Sequence, residues 1–162
     1  MKYFLVNEVI NLERFELEKY ISRLQQSFYS TMKKLGPELS EHLEEGLTSE
    51  QFFVLKLLNN RSRVTASELA EEFRVKPSAI TAMVDRMLKN DFVTRERDEK
   101  DRRVVYISIS EKGKKTFEKS DHTRIKIMER YMAKLDPIDL ENLVSGFEKL
   151  AAIVQETEEE TT

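Results

Sequence analysis

The chain of 162 residues contains no cysteine, and it has only four glycines and three prolines. Without cysteine the protein can form no disulfide, no thiolate metal site and no thiol-based redox sensor. Glycine and proline are the residues that most often interrupt regular structure. Because both are scarce, the sequence predicts long helices.

Long hydrophobic runs are also missing. No stretch approaches the ~20 apolar residues that a membrane-spanning helix needs. The first residues, MKYFLVNEVINLE, hold four consecutive apolar residues before Asn7 and do not resemble a signal peptide. The composition, 40% hydrophobic and 35% charged, is typical of a folded, helix-rich domain. We therefore expect a single domain, a cytoplasmic location and no membrane partner.

The charge of the chain is unevenly distributed. The net charge is −3, but residues 61–119 contain 15 Lys and Arg against 11 Asp and Glu, a net +4. The remaining residues contain 12 and 19, a net −7. Such an asymmetry favours a nucleic-acid-binding face in the middle of an otherwise acidic protein, although chance can also produce it.

Three helices are predicted before residue 75. An apolar stripe with steps of three and four residues predicts a long first helix over residues 8–35, which Gly36-Pro37 should end. The segments Thr48-Ser-Glu-Gln51 and Thr65-Ala-Ser-Glu68 have the form of capping boxes. They predict a buried helix that ends near residue 60 and a short helix over residues 68–73.

A fourth helix should begin at Pro77, which suits the first helical position because its missing N–H costs nothing there. Its buried face would carry Ile80, Val84, Met87 and Leu88. Two short helices joined by a tight turn are typical of a helix-turn-helix motif, although an ordinary helical hairpin has the same pattern. Lys76 is a poor N-cap residue, and one explanation is that a DNA phosphate binds at this helix end.

A charged hairpin follows this helix. Residues 92–95 and 105–109 have the composition and alternation of two strands, and the charged segment ERDEKDRR joins them. A projecting hairpin directly after a recognition helix predicts a winged helix, with a solvated loop as the alternative. Arginine is suited to a narrow minor groove. The carboxylates of Asp98 and Asp101 could hold the neighbouring arginines extended.

Three segments of the chain resemble the MarR family of winged-helix bacterial transcriptional regulators: residues 47–51, the sequence VKPSAITAMVDRMLKNDFVTR, and DEKDRRVVYISISEKG. The resemblance implies an obligate homodimer, a triangular helical fold and a palindromic DNA operator. It also implies that Ser78, Thr81 and their neighbours read the major groove while Arg102 and Arg103 act at the wing. The sequence departs from the family pattern at Ala82, where several relatives carry arginine, and at Lys100, which replaces an arginine of the wing signature.

The candidate DNA-binding residues fall into three groups. Those of the recognition helix are Lys76, Pro77, Ser78, Ala79, Thr81, Ala82 and Arg86. Those of the wing are Arg95, Arg97, Lys100, Arg102 and Arg103, supported by Asp98 and Asp101. The expected fold is mainly α (α+β): a winged helix-turn-helix lobe over residues 47–110, with long terminal dimerisation helices over residues 1–35 and 111–157.

The case for a homodimer also rests on the terminal helices. Asp136-Pro137 should start the last helix, as an N-cap residue followed by a first-turn proline. This helix carries a heptad-like apolar stripe formed by Leu140, Leu143, Phe147, Leu150 and Val154. The first helix has additional apolar residues at Phe4, Leu5, Val9 and Leu12. A small winged helix cannot cover so much apolar surface, and pairing with a second copy would do so. Folding of these helices back onto the same chain is the alternative.

The sequence does not favour an enzyme. His42 and His122 are the only histidines, and neither lies in a metal-binding spacing. Neither a nucleophile elbow nor a glycine-rich phosphate loop is present, so no metal and no cofactor is expected. The resemblance also implies a small-molecule effector. A candidate pocket would involve Phe28, Tyr29, Phe52 and Phe53, although aromatic residues at helical spacing usually belong to the core.

The preferred function is that of a ligand-responsive repressor that binds a palindromic double-stranded DNA operator as a homodimer. A winged helix that mediates protein interactions without sequence-specific DNA binding is the alternative.

Overall fold

The computed structural model describes residues 14–159 and has a mainly helical fold with one small sheet. The elements in chain order are α1 (Arg14–Glu41), α2 (Ser49–Asn60), β1 (Val64–Thr65), α3 (Ala66–Glu72), α4 (Pro77–Lys89), β2 (Val93–Arg97), β3 (Val105–Ile109), α5 (Glu111–Met132) and α6 (Pro137–Glu159). The predicted winged helix-turn-helix, consisting of α3, α4 and the hairpin β2–β3, is confirmed.

Helix α1 belongs to one compact unit of the chain, and residues from His42 onward form the other. The prediction that α1 ends at Gly36-Pro37 is wrong, because the helix includes Pro37 and continues to Glu41. Proline disfavours a helical residue before it partly by clashing with that residue's Cβ, and Gly36 has no Cβ. The Ser40 hydroxyl donates a hydrogen bond to the Gly36 carbonyl at 3.0 Å. Phe4, Leu5, Val9 and Leu12, predicted as an additional apolar face, lie outside the described residues.

The core of the second unit lies among α2, α3, α4, α5 and the sheet. Its best-buried side chains include Phe52, Leu55, Leu58, Leu69, Ile80, Val84, Met87 and Ile107. Both predicted capping boxes are present. Gln51 and Glu68 each accept a hydrogen bond from the N-cap backbone of Thr48 and Thr65, respectively. These caps fix where α2 and α3 begin and thereby orient the helices that support the recognition helix.

The sheet has three antiparallel strands in the order β1-β3-β2. The β1 strand was not predicted, because two residues are too few to show an alternating pattern. Its register places Val64 opposite Ile107 and Thr65 opposite Tyr106. Strand β1 therefore ties the segment before α3 directly to the hairpin.

Helix α5 starts in close contact with the beginning of the wing. Ser110 caps it by accepting a hydrogen bond from the Gly113 N–H at 2.9 Å, and the Ser110 N–H donates to the Phe92 carbonyl at 3.1 Å. A Cβ on Gly113 would lie 1.9 Å from that carbonyl oxygen. Only glycine allows this approach. Helix α5 ends at Met132.

Helix α6 begins as predicted, at the Asp136 cap. The Asp136 carboxylate accepts hydrogen bonds from the N–H groups of Ile138 and Asp139, each at 2.9 Å. The apolar stripe of α6 is exposed in the single chain, with Phe147 at 47% and Leu150 at 46%.

Candidate nucleic-acid interface

The recognition helix α4 divides cleanly into a buried and an exposed side. Ile80, Val84 and Met87 are fully buried against the lobe. The predicted DNA-binding residues of this segment are all exposed: Lys76, Pro77, Ser78, Ala79, Thr81, Ala82 and Arg86. The hydrophobic periodicity that anchors α4 therefore also determines which residues it presents to solvent.

The start of α4 has the unusual cap that the sequence indicated. Lys76 is the N-cap residue and makes no side-chain cap hydrogen bond, while Pro77 occupies the first turn. The Thr81 hydroxyl donates a hydrogen bond to the Pro77 carbonyl at 3.0 Å. Its oxygen retains lone pairs on an exposed surface, and rotation about χ1 would free the hydroxyl for another partner.

Both helices of the helix-turn-helix end in a left-handed residue. Arg74 has φ of 51° after α3, and Asp91 has φ of 58° after α4. In each case two backbone hydrogen bonds close the helix. After α3, Arg74 donates to Glu71 and Val75 donates to Ala70; after α4, Asp91 donates to Leu88 and Phe92 donates to Met87. This is the Schellman pattern, usually formed with glycine. The two closures fix the directions in which the chain leaves α3 and α4.

The tip of the wing is a seven-residue loop between Arg97 and Val105 that is held by backbone hydrogen bonds. The Asp98 carboxylate accepts from the N–H groups of Lys100 and Asp101, each at 2.9 Å. These bonds, that from Asp101 first, lower the pKa of Asp98 below its ordinary value. The Asp101 carboxylate accepts from the Arg103 N–H at 3.0 Å. The loop is therefore an ordered turn despite its charge.

The basic residues of the wing lie in different surroundings. Lys100, Arg102 and Arg103 are exposed at the tip, and the Nε of Arg103 lies 3.4 Å from Asp101. Asp101 thus contacts an arginine, whereas Asp98 accepts hydrogen bonds from backbone N–H groups and interacts electrostatically with Arg63. Arg97 is exposed at the end of β2.

Arg95 is directed toward the recognition helix. Its Nη2 lies 2.8 Å from Oδ1 of Asp85 in α4. Asp85 was not among the predicted site residues. Ten residues separate the two side chains, and only the fold of the hairpin brings them together. Their opposite charges give no sequence signal at that separation.

A second unpredicted feature is a stacked arginine beside β1. The Arg63 guanidinium lies 4.0 Å from the centroid of the Tyr106 ring. The register opposes Tyr106 to Thr65 on one side and Glu96 on the other, so this pair occupies the outer surface of the sheet.

The four aromatic residues predicted for an effector pocket differ in exposure. In α1, Phe28 is 56% and Tyr29 is 67% exposed. Phe52 is buried, with its ring 5.4 Å from that of Phe117. Phe53 is 45% exposed. Phe52 is therefore a core residue of the lobe.

Arg124 of α5 covers two of these rings. Its guanidinium lies 4.6 Å from the centroid of Phe52 and 5.7 Å from that of Phe53. Partial burial lowers the pKa of Arg124, and the nearby Asp121 partly offsets the effect. Arg124 could bind an anionic group beside an aromatic surface. It was not predicted because α5 shows no motif at this position.

Over residues 14–159, no group of three or more His, Cys, Asp or Glu residues could hold a metal ion. Within the same part of the chain, no helix is long and apolar enough to cross a membrane.

The MarR family profile matches residues 47–105, which include the helix-turn-helix and most of the wing. The HTH-type transcriptional repressor MdtR of Bacillus subtilis (strain 168) is 33% identical over 144 residues, spanning 88% of this chain and 93% of MdtR. The chain belongs to the MarR family. The relatives found are transcriptional regulators, and this MarR-family protein is accordingly a DNA-binding transcriptional regulator.

Solved structures agree with this assignment. The crystal structure of a MepR-like protein complexed with pseudoligands is 38% identical, has a TM-score of 0.59, and covers 83% of this chain and 96% of that one. A mutant MarR from E. coli complexed with operator DNA is 22% identical with a TM-score of 0.64, covering 86% and 99%. This second likeness concerns the MarR fold alone.

Proposed function

We propose that this protein is a ligand-responsive repressor that binds a palindromic operator as a homodimer. The observation that carries the proposal is the exposed side of α4 together with an ordered wing tip that exposes Lys100, Arg102 and Arg103. A helix can enter the major groove while an adjacent hairpin reaches the minor groove. The repressor name of the relative MdtR and the operator DNA bound to E. coli MarR support the same function. A repressor of this kind acts in the cytoplasm, and we propose this location for the protein.

Within the recognition helix, the small exposed side chains allow close approach to DNA. Ser78 and Thr81 can meet base edges through their hydroxyls, while Ala79 and Ala82 leave room for the backbone. Lys76 and Arg86, at opposite ends of the helix, carry positive charge suited to phosphates. A phosphate at the start of α4 would also meet the positive end of the helix dipole.

At the wing, the tip residues Arg102 and Arg103 are the candidates for insertion into the minor groove. Asp101 lies against Arg103 and limits the directions that its side chain can take. Lys100 and Arg97 supply additional positive charge near the tip. An arginine in the minor groove favours A/T-rich sequence, where the groove is narrow.

The effector is proposed to be a small aromatic anion. Phe53 and Arg124 offer an exposed ring beside a partly buried cation, and the MepR-like structure was solved with pseudoligands. The contribution of Phe28 and Tyr29 stays a prediction.

The test of the proposed function begins with DNA duplexes that the wild-type protein selects from a random-sequence pool. A palindromic consensus with half-sites about one helical turn apart is expected. Arg102→Ala and Arg103→Ala should then be titrated separately at several salt concentrations, on duplexes with A/T-rich and G/C-rich flanks. The residue that enters the groove is the one whose loss abolishes the flank preference.

Each of these variants removes one charge per wing and two per dimer. If both charges displace counterions, the slope of log affinity against log salt should shrink by up to roughly 1.8. Recovery of no consensus sequence would refute operator recognition and favour a protein-interaction module. Unchanged affinity, salt slope and flank preference in both variants would show that the wing tip is only a solvated loop.

A further inference from the structure

One acidic residue lies on the surface of α4 that is proposed to face DNA. Asp85 follows Thr81 by four residues and Ala82 by three, and side chains at these spacings share one side of a helix. Its side chain is 49% exposed. A bare carboxylate at this position would repel the phosphates of the duplex. A nearby positive charge is therefore needed to offset the repulsion between Asp85 and the phosphates.

Arg95 supplies the compensating charge. The ion pair of 2.8 Å joins the middle of the recognition helix to β2. In the hairpin register, Arg95 lies opposite Ile107, which is fully buried, so both project from the core side of the sheet. The neighbouring Glu96 lies opposite Tyr106 on the outer side. The strand alternation thus directs Arg95 toward α4 and away from the surface that Tyr106 occupies.

The position of this ion pair along the hairpin lets it influence the direction in which the hairpin projects. Strand β2 begins at Val93, which is buried in the lobe, and ends at Arg97 directly before the tip loop. The ion pair holds the strand at its midpoint, beyond its buried first residue. A small rotation of the hairpin about its base would be amplified at the tip, where Arg102 and Arg103 lie.

We propose that Asp85 and Arg95 form a positioning pair that sets where the wing tip lies relative to the recognition helix. In this role Arg95 acts on DNA binding through Asp85 and is not itself a DNA contact. The proposal rests on the proposed function, since it concerns the same operator complex. It assigns Arg95 a different role from the other wing arginines, with which the sequence had grouped it.

The effect of Asp85→Asn on DNA affinity tests the proposal, because electrostatics and positioning predict changes of opposite sign. Asp85→Asn removes a negative charge from the proposed DNA face, and electrostatics alone predicts tighter binding to every duplex. A positioning role predicts the opposite on the selected operator, where groove and wing must fit together, and no weakening on random DNA. The matched control is Glu99→Gln, which removes one carboxylate from the exposed wing tip and should bind both duplexes at least as tightly as the wild type.

The full-length wild type, Asp85→Asn, Arg95→Gln and the double variant should be titrated on the selected operator and on random DNA. Each single variant is expected to weaken operator binding by up to about fivefold per protomer, because a half-exposed ion pair is worth no more than that. The double variant should be no weaker than either single variant, since both remove the same interaction. Arg95→Lys, which keeps a cation for Asp85, should retain most of the affinity, and thermal unfolding identifies any variant that does not fold.

Three results would overturn the inference. Tighter operator binding by Asp85→Asn would leave electrostatics as the sufficient explanation. A salt slope reduced by roughly 1.8 in Arg95→Gln would make Arg95 a phosphate contact. A loss in Asp85→Asn confined to one base pair of each half-site would make Asp85 a base contact, since carboxylates accept from cytosine. If the wild type selects no operator at all, the proposed function itself fails, and this inference with it.

Discussion

At the scale of single residues, the carboxylates of Asp98 and Asp101 help to hold the wing loop in one conformation. Asp98 and Asp101 accept hydrogen bonds from three backbone N–H groups of the loop, in addition to the two backbone–backbone bonds that join Asp98 to Val104 and Val104 to Asp101. Asp98→Ala should remove the two bonds at Lys100 and Asp101 and loosen the tip. We expect faster amide hydrogen exchange at these two positions, with the exchange of the α4 amides unchanged. Glu99→Ala, in the same loop, is the control and should leave the exchange rates as they are.

The same contact gives a pH dependence with a definite sign. Hydrogen bonds to the charged carboxylate lower the pKa of Asp98 from its ordinary 3.8. A group with a lowered pKa in the folded state contributes order above its unfolded pKa and loses this contribution as the pH falls through the folded pKa. The Lys100 and Asp101 amides should therefore stay protected at about pH 5 and lose protection only below 3.8. Loss of protection between pH 5 and pH 7 would contradict this assignment.

Thr81 distinguishes a base contact from a backbone contact in the recognition helix. Its hydroxyl donates to the Pro77 carbonyl and can turn to a base edge, where such contacts are worth about 1–3 kcal/mol of discrimination. Thr81→Ala should relax the preference at one position of each half-site. Thr81→Ser keeps the hydroxyl and should keep the preference; if it behaves like Thr81→Ala, the methyl group is the reading element. Equal weakening by Thr81→Ala on operator and random DNA would make Thr81 a phosphate contact.

Residue patterns identified which side of α4 is exposed but not every partner on that side. Ile80, Val84 and Met87 follow the helical period, so the exposed set could be deduced from the sequence. Asp85 and Arg95 meet only because a strand returns beside the helix. The residues that neighbour Asp85 and Arg95 in the sequence do not indicate which element either side chain will face. Arg95 lies in β2 of the wing, but its contact with Asp85 in α4 could not be read from the sequence.

At the scale of elements, the sequence predicted the helix caps correctly but not the end of α1 or the presence of β1. The boxes at Thr48 and Thr65 involve residues three apart, and such local chemistry is legible in the sequence. Pro37 was interpreted as a helix end, yet α1 continues through it, and Gly36, which has no Cβ, removes one of the steric conflicts with the proline ring. Strand β1 exists only through its pairing with β3, which no local pattern shows.

The closure of α4 offers a test of element stability. Asp91 adopts φ of 58° where a Schellman closure favours glycine. A left-handed conformation costs a non-glycine residue roughly 1 kcal/mol. Asp91→Gly should therefore raise the free energy of unfolding by up to about 1 kcal/mol in denaturant titrations, since its backbone carbonyl can still accept from the Ser110 hydroxyl. Asp91→Ala, which keeps a Cβ but loses the polar side chain, should be less stable than the wild type. Stabilisation by alanine as large as that by glycine would show that conformation is not the cause.

At the scale of the whole molecule, helices α1 and α6 expose many large apolar side chains. Helix α1 exposes Leu17, Ile21, Leu24, Phe28 and Met32, each by more than 40%, and α6 exposes its own stripe. These rows were visible in the sequence because they follow helical spacing. Contiguous apolar surface of this kind marks interaction sites, and its exposure in the single chain supports the proposed dimer. The sequence could not establish whether a second copy or another protein covers them.

Dimerisation through α6 can be tested by one charge on its apolar stripe. Phe147 is 47% exposed and lies near the middle of the stripe. In a twofold interface, Phe147→Glu places two carboxylates in an apolar contact, because each subunit contributes the same residue. Truncation of an aromatic anchor typically costs more than about 1 kcal/mol of binding free energy. We expect the dimer dissociation constant in sedimentation equilibrium to rise by at least about tenfold.

The control for this change is Asn142→Glu, which adds the same charge to the same helix but away from the stripe, and it should leave the dimer intact. The DNA-binding lobe should be unaffected in both variants, since the exposed recognition helix and wing belong to other elements. Operator binding should nevertheless fall in Phe147→Glu, because two recognition helices about 34 Å apart are needed to reach both half-sites. Raising the protein concentration above the new dissociation constant should restore the binding. A Phe147→Glu protein that sediments as a monomer yet binds a full palindrome with wild-type affinity would show that operator recognition does not require the dimer.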